Sequence, residues 1–133
     1  MQRYIQIVVG ALALMSALVQ ADHHKENEYP LYELRTYYTQ EGKIGDLHAR
    51  FRDHTMKLFA KHGIKNIAYW SPVEDPGTLV YLIAHKSADG AKAAWTAFGQ
   101  DPQWRRVAKA SRANGPLLTK IDSVYMTKTP YSP

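Results

Sequence analysis

The spacing of apolar and polar positions along the chain follows two different patterns. Residues 43–62 and 87–99 place apolar side chains three or four positions apart, which predicts amphipathic helices. Shorter stretches rich in apolar and aromatic side chains predict four strands, at residues 31–39, 64–71, 78–86 and 117–127. The order strand, helix, strand, strand, helix, strand is that of a split β-α-β unit. The pattern therefore predicts an α+β, ferredoxin-like fold with a four-stranded antiparallel sheet.

Turn and cap residues lie where this interpretation requires them. Gly63 follows the first helix as a C-terminal glycine. Residues 74–77, Glu-Asp-Pro-Gly, are a strong turn signal, so the second and third strands should form a hairpin. Asp101 and Pro102 predict the N-cap and first residue of a further helical segment, which the Asn-Gly-Pro of residues 114–116 ends.

The third strand is apolar on both of its faces. Its two alternating sets are Leu79, Tyr81 and Ile83 on one face and Val80, Leu82 and Ala84 on the other. Both faces should therefore be buried, yet the predicted helices can cover only one. A second copy of the chain, packed sheet to sheet, is the simplest cover for the other face. The pattern thus predicts a homodimer.

Two motifs resemble those of the NIPSNAP family. The first strand contains Tyr32-Glu33-Leu34-Arg35, and the later helix begins with Asp-Pro-x-Trp at residues 101–104. The resemblance runs from about Tyr32 to Met126 and implies a dimeric α/β barrel, but no reaction. We expect an exported NIPSNAP-type domain that binds a small apolar or aromatic acid, or a protein partner. The alternative is a cofactor-independent enzyme, because distantly similar dimeric barrels include small monooxygenases and isomerases.

The first residues resemble an export signal rather than part of the fold. A short basic start is followed by a mostly apolar run that ends in Val-Gln-Ala, a sequence that signal peptidases accept. We expect cleavage after Ala21 and a secreted or periplasmic protein with no stable membrane anchor. The predicted organisation is a signal peptide at 1–21, a lead-in at 22–30, the domain at 31–128 and a tail at 129–133.

The composition of the chain excludes several classes of chemistry and of partner. The chain has no cysteine, which excludes disulfides and thiolate catalysis. Its formal charge of +5 comes from basic residues that are spread among acidic ones, so nucleic acid is not a predicted partner. The sequence has no phosphate loop, dinucleotide fingerprint or zinc motif, and no cofactor is predicted.

The first strand supplies the candidate ligand-binding residues. One alternating set, Tyr32, Leu34, Thr36 and Tyr38, is expected to pack on the helices. The other set, Glu33, Arg35 and Tyr37, is expected to line the barrel interior, on the sheet face away from the helices. Arg35 would bind an anionic group there, and the cavity would be bordered by Arg35, Tyr37, Tyr81 and His85. A Glu33–Arg35 ion pair, within the sheet or between protomers, is the alternative.

Two histidines are weak candidates for catalysis. His54 in the first helix and His85 at the end of the third strand could act as general bases near neutral pH. Neither has an orienting carboxylate that the sequence reveals. His54 also matches a histidine that the resemblance places in this helix.

Cleavage after Ala21 would create one further candidate site. The new terminus, Asp22-His23-His24, would offer an amine, two amide nitrogens and the imidazole of His24. Four nitrogens of this kind suit square-planar Cu(II) or Ni(II). No metal site is predicted within the fold itself.

Overall fold

The computed structural model describes residues 27–133. The predicted export signal and the predicted Asp22-His23-His24 metal site lie outside the described residues. The strands and helices follow one another in the order β1 (Leu31–Thr39), α1 (Ile44–Arg50), a π-helical turn (Phe51–Thr55), α2 (Met56–Lys61), β2 (Lys65–Trp70), β3 (Thr78–His85), α3 (Ala88–Gln100), α4 (Pro102–Ser111) and β4 (Leu118–Met126). The predicted element order is confirmed. Within residues 27–133, no helix has both the length and the apolarity to cross a membrane.

The four strands form one antiparallel sheet in the order β2-β3-β1-β4. This is the strand order of a ferredoxin-like unit, in which each β-α-β half contributes one central and one edge strand. The sheet does not close on itself, and β2 and β4 are its edges. The predicted four-stranded α+β fold is confirmed, whereas the dimeric barrel stays a prediction.

An aromatic core fills the space between the helices and one face of the sheet. Tyr81, at the centre of β3, is completely buried. Its ring centre lies 5.3 Å from that of Tyr37, 5.1 Å from that of Phe51 and 5.2 Å from that of Tyr69. Edge-on and offset contacts of this kind stabilise a core beyond the area that they bury.

A π-helical turn interrupts the first helix, which the apolar spacing did not predict. The backbone N–H of Met56 donates to the carbonyl of Phe51, five residues earlier. The Thr55 hydroxyl donates to the carbonyl of Arg50 at 3.2 Å. Arg50 and its neighbour Phe51 are both buried at the start of this turn. Single π turns of this type occur often at functional sites.

The opposite face of the sheet is largely apolar and only partly covered within the described chain. The side chains in register on this open face include Leu34, Val80, Leu82, Trp70 and Val124. Trp70 is 50% exposed and Val124 is 54% exposed. Within the described chain, Val80 and Leu82 on this face are only partly buried, so the expected burial of both faces of β3 and the expected second copy remain predictions.

The predicted helix start at Asp101 is confirmed. Its carboxylate accepts the backbone N–H of Gln103 at 2.8 Å, and Pro102 is the first residue of α4. Lys61 and His62, at the end of α2, lie 2.8 and 2.7 Å from the same carboxylate. Lys61, His62 and the Gln103 N–H hold the pKa of Asp101 well below its usual range. Asp101 thus joins the end of one helix to the start of another.

Candidate functional site

The face assignment of the first strand differs from the prediction. In the β1–β3 register, Glu33 lies opposite Ile83, Arg35 opposite Tyr81 and Tyr37 opposite Leu79. All of these side chains therefore share one face, and contacts with the helix residues Phe51 and Trp95 identify it as the helix-facing side. The set Tyr32, Leu34, Thr36 and Tyr38 lies instead on the open face. The prediction that Glu33, Arg35 and Tyr37 face away from the helices is wrong.

Tyr81 and His85 are corrected in the same way. Both lie under the helices, and His85 is only 1% exposed. They cannot border a cavity on the open face. The physical reason is that the Tyr81 ring packs among aromatic rings and that His85 bonds to the carboxylate of Glu33.

Glu33 is the centre of a buried polar cluster. It is completely buried and accepts hydrogen bonds from four side chains. Trp95 Nε1 and His85 Nε2 lie 2.8 and 2.9 Å from Oε1. The Ser123 hydroxyl, at 2.9 Å, and an Arg35 guanidinium nitrogen, at 2.5 Å, bind Oε2. Four donors from β1, β3, α3 and β4 therefore satisfy both oxygens of one carboxylate.

These donors keep Glu33 ionised. Burial alone would raise its pKa, but the hydrogen bonds from His85, Arg35 and Trp95, with the charge of Arg35, lower it to about 2. An ionised carboxylate only accepts hydrogen bonds, so His85 must carry its proton on Nε2. His85 Nδ1 then has no hydrogen-bond partner among residues 27–133.

The side chain of Arg35 is held within this cluster by its own contacts. Its guanidinium carbon lies 4.5 Å from the centre of the Trp95 ring, and a second nitrogen lies 3.4 Å from the Tyr37 hydroxyl. The ion pair with Glu33, which the sequence left open as an alternative, is present. The guanidinium of Arg35 is therefore neutralised from within the chain, and a ligand role for it remains untested.

A second region of the same layer has the opposite electrostatics. A cleft of about 310 Å³ opens between the start of β4 and the helices. Its lining residues are Tyr37, Arg50, Trp104, Arg112, Pro116, Leu117, Leu118 and Ile121. Both charged side chains in this lining are arginines, and the other walls are aromatic or aliphatic. We call this space the Arg50 cleft.

Arg50 is buried there without a counter-ion. The residue is 7% exposed, and no carboxylate of residues 27–133 forms a salt bridge with it. Its one side-chain hydrogen bond goes to the Ser111 hydroxyl at 3.3 Å, and its Nε has no partner in the described chain. Burial, together with repulsion from Arg112, lowers the pKa of Arg50. A buried cation without a partner costs several kcal/mol.

The two candidate catalytic histidines lie apart. His54 is exposed on the π-helical turn and lines a groove with Asp53 and Arg106, whereas His85 is buried at the end of β3. The structure therefore does not bring them into one site. Within residues 27–133, no group of three or more His, Asp or Glu side chains is placed to hold a metal ion.

Sequence reasoning missed Arg50, Trp104 and Ser111 as neighbours. One signal was available for Arg50, because it follows Leu47 by three positions and so falls near the apolar stripe of the first helix. Its contact with α4 depends on the π-helical turn and on tertiary packing. The contact of Ser123 with Glu33 could not be predicted either, since it depends on the pairing of β1 with β4.

Comparisons with known structures agree on the fold. An uncharacterized NIPSNAP domain protein from Burkholderia xenovorans is 19% identical, with a TM-score of 0.66, over 77% of this chain and 98% of the other. A NIPSNAP family protein of unknown function from Agrobacterium tumefaciens is 21% identical, with a TM-score of 0.69, over 80% and 95% of the two chains.

A more distant likeness is to a candidate antibiotic biosynthesis monooxygenase from Nitrosomonas europaea. That protein is 12% identical, with a TM-score of 0.57, over 79% of this chain and 96% of the other. At these identities the three structures show the shared fold alone. No curated protein matches the chain. The NIPSNAP family model, however, matches residues 32–133, nearly the whole of the described domain. The chain belongs to the NIPSNAP family.

Proposed function

We propose that this protein is an exported homodimer that binds a small apolar or aromatic acid. The Arg50 cleft is the observation that carries the proposal. Its aromatic and aliphatic walls suit the apolar body of a ligand, and its two charged residues are both cations. Binding sites for small molecules commonly combine such walls with a few polar groups that fix orientation.

The open face supports the dimer. A largely apolar sheet face on a small domain is costly to leave in water, and a second copy would cover it with an identical surface. Leu82 lies near the middle of this face, paired with Leu34. Placing a charge there should prevent the two sheets from packing together.

The dimer is tested by sedimentation velocity of Leu82→Glu at micromolar concentration. Val73→Glu is the matched control, because Val73 is 93% exposed in the loop after β2. We expect Leu82→Glu to sediment as a folded monomer and Val73→Glu to sediment as a dimer, like the unaltered protein. A folded monomer for the unaltered protein would refute the homodimer.

Ligand binding is tested by native mass spectrometry of the protein isolated from its own host. We expect a small acid to travel with the protein and to leave on denaturation. The same spectrum reports the mass of the chain, and a mass beginning at Asp22 would support export with cleavage after Ala21. Protein that carries no acid and binds none when acids are added would contradict the proposed function.

A cofactor-independent enzyme is a second candidate, which the buried polar cluster favours. His85 contacts the ionised Glu33 carboxylate through Nε2, and its buried Nδ1 has no partner within residues 27–133. The Tyr81 hydroxyl, buried on the same side of the sheet, has no partner there either. Buried groups of this kind often serve catalysis. Incubating the co-purified acid with the protein in air, followed by chromatography, tests this candidate. Conversion that His85→Gln abolishes would favour the enzyme, and an unchanged acid would count against it.

A further inference from the structure

We infer that Arg50 is the residue that selects a carboxylate in this protein, and that Arg35 is not. The inference rests on the proposed function, since it names the anchor within the cleft where the acid would bind. The ligand class is a monocarboxylate with a compact aromatic or aliphatic body. Its carboxylate would meet the Arg50 guanidinium, and its body would lie against the walls of the cleft.

The first argument is the missing counter-charge. Arg50 is more than nine-tenths buried, its Nε has no partner within residues 27–133, and it lines the cleft. Buried ions in proteins are normally paired or hydrogen-bonded on all sides. A bound carboxylate would supply both the charge and the missing acceptors, because it fits the guanidinium fork.

The second argument is that the charge of Arg35 already has a counter-ion. Its charge is already balanced by Glu33, which takes further hydrogen bonds from His85 and Trp95. A ligand carboxylate could bind Arg35 only by competing with a completely buried internal one. No carboxylate of residues 27–133 forms a salt bridge with Arg50, and the acids nearest in the lining of a neighbouring groove, Asp46 and Asp53, lie outside the Arg50 cleft.

The third argument is that Arg50 is held in place without being neutralised. Its guanidinium carbon lies 5.2 Å from the centre of the Trp104 ring, and its Nη1 donates to Ser111. Trp104 in turn packs on Phe98 at 4.5 Å between ring centres. An aromatic face and a hydroxyl orient the cation and leave its charge available.

The fourth argument concerns the size and sign of the cleft. A volume of about 310 Å³ is at the small end of ligand sites, which suits one ring or a short chain. Arg112 is exposed in the same lining and lies near enough to lower the pKa of Arg50. An anion between the two guanidiniums would relieve this repulsion, whereas a neutral analogue would not.

Calorimetric titration of the full protein with matched probes tests the assignment. The acids are phenylacetate, indole-3-acetate and octanoate, and phenylacetamide is the neutral analogue. We expect at least one acid to bind, and phenylacetate to bind at least tenfold more tightly than phenylacetamide. Arg50→Gln should weaken binding of the acids at least tenfold and leave the amide unchanged. Arg50→Lys should retain part of the preference for acids, because it keeps the charge without the fork.

Arg105→Gln is the matched control. Arg105 is an exposed arginine of α4 outside the cleft lining, and it should leave the affinities unchanged. Near-ultraviolet circular dichroism and thermal unfolding of each variant establish that it is folded. If Arg50→Gln binds the acids as tightly as the unaltered protein, the assignment fails and the proposed function stands. If none of the acids binds the unaltered protein at millimolar concentration, both fail.

Discussion

Two arginines lie in the layer between the sheet and the helices, Arg50 buried and Arg35 partly buried, and their surroundings are opposite. Arg35 pairs with Glu33 in a cluster that four donors complete around one carboxylate. Arg50 lies in the same layer with a hydroxyl and an aromatic ring as its neighbours, and with a second arginine close by. The first charge is balanced inside the chain, and the second is not balanced within the described residues.

The difference separates a structural role from a binding role. Glu33 is a buried charge whose two oxygens are both paired, and it joins β1, β3, α3 and β4. Arg35 gains its counter-charge there, although its Nε, like that of Arg50, has no partner within residues 27–133. A buried charge without a partner weakens the fold, so its presence needs another reason. Residues that serve binding are often retained at a cost in stability. The comparison therefore predicts a clear loss of stability when the pair of Arg35 and Glu33 is broken, and little change when the charge of Arg50 is removed.

The largest expected effect is that of Glu33→Gln. The substitution keeps the shape of the side chain but leaves the partly buried Arg35 without its counter-charge. We expect the free energy of unfolding to fall by about 3–5 kcal/mol. Urea denaturation followed by tryptophan fluorescence measures this loss.

Glu74→Gln is the matched control for that substitution, since Glu74 is an exposed acid in the β2–β3 turn. Its free energy of unfolding should change by no more than about 0.5 kcal/mol. A loss below about 1 kcal/mol for Glu33→Gln would mean that the cluster is not a structural unit.

Acid should destabilise the protein through the same carboxylate. The pKa of Glu33 is about 2 in the folded protein, against 4.5 for an unperturbed glutamate. A group whose pKa is lowered by folding stabilises the protein above its unfolded pKa, and this stability is lost as the pH falls through the folded pKa. The loss should therefore extend from about pH 4.5 to about pH 2 and amount to about 3 kcal/mol.

Denaturation at a series of pH values measures this dependence. Asp101 also has a lowered pKa and contributes in the acid range, so the informative quantity is the difference between the unaltered protein and Glu33→Gln. That difference should shrink as the pH falls below 4.5. A constant difference down to pH 2 would contradict the lowered pKa of Glu33.

The strand and helix pattern, and with it the fold, could be read from the sequence because it depends on local periodicity and turn residues. The face of β1 could not, because β3 is apolar on both sides and so gives no preference. Glu33 and Arg35 then appeared too polar for the covered side. Their burial depends on His85, Trp95 and Ser123, which are distant in sequence and meet only in the folded chain. Arg50 was missed for a similar reason, since a π-helical turn leaves no clear mark in the apolar spacing.

The smallest expected effect is that of Arg50→Met, and it separates the two arginines most sharply. Methionine keeps the apolar contact with Trp104 and removes a buried charge that has no counter-ion in the described chain. The lost Ser111 hydrogen bond and the lost cation–π contact each cost about 1 kcal/mol, which the relief of burying the charge should offset. We therefore expect the free energy of unfolding, without ligand, to stay within about 1 kcal/mol of its original value. Arg35→Met, in contrast, removes a charge-assisted bond to Glu33 and should lose about 2–3 kcal/mol. Parallel urea titrations of both variants measure the contrast, and equal losses would mean that Arg50 serves the fold in the same way as Arg35.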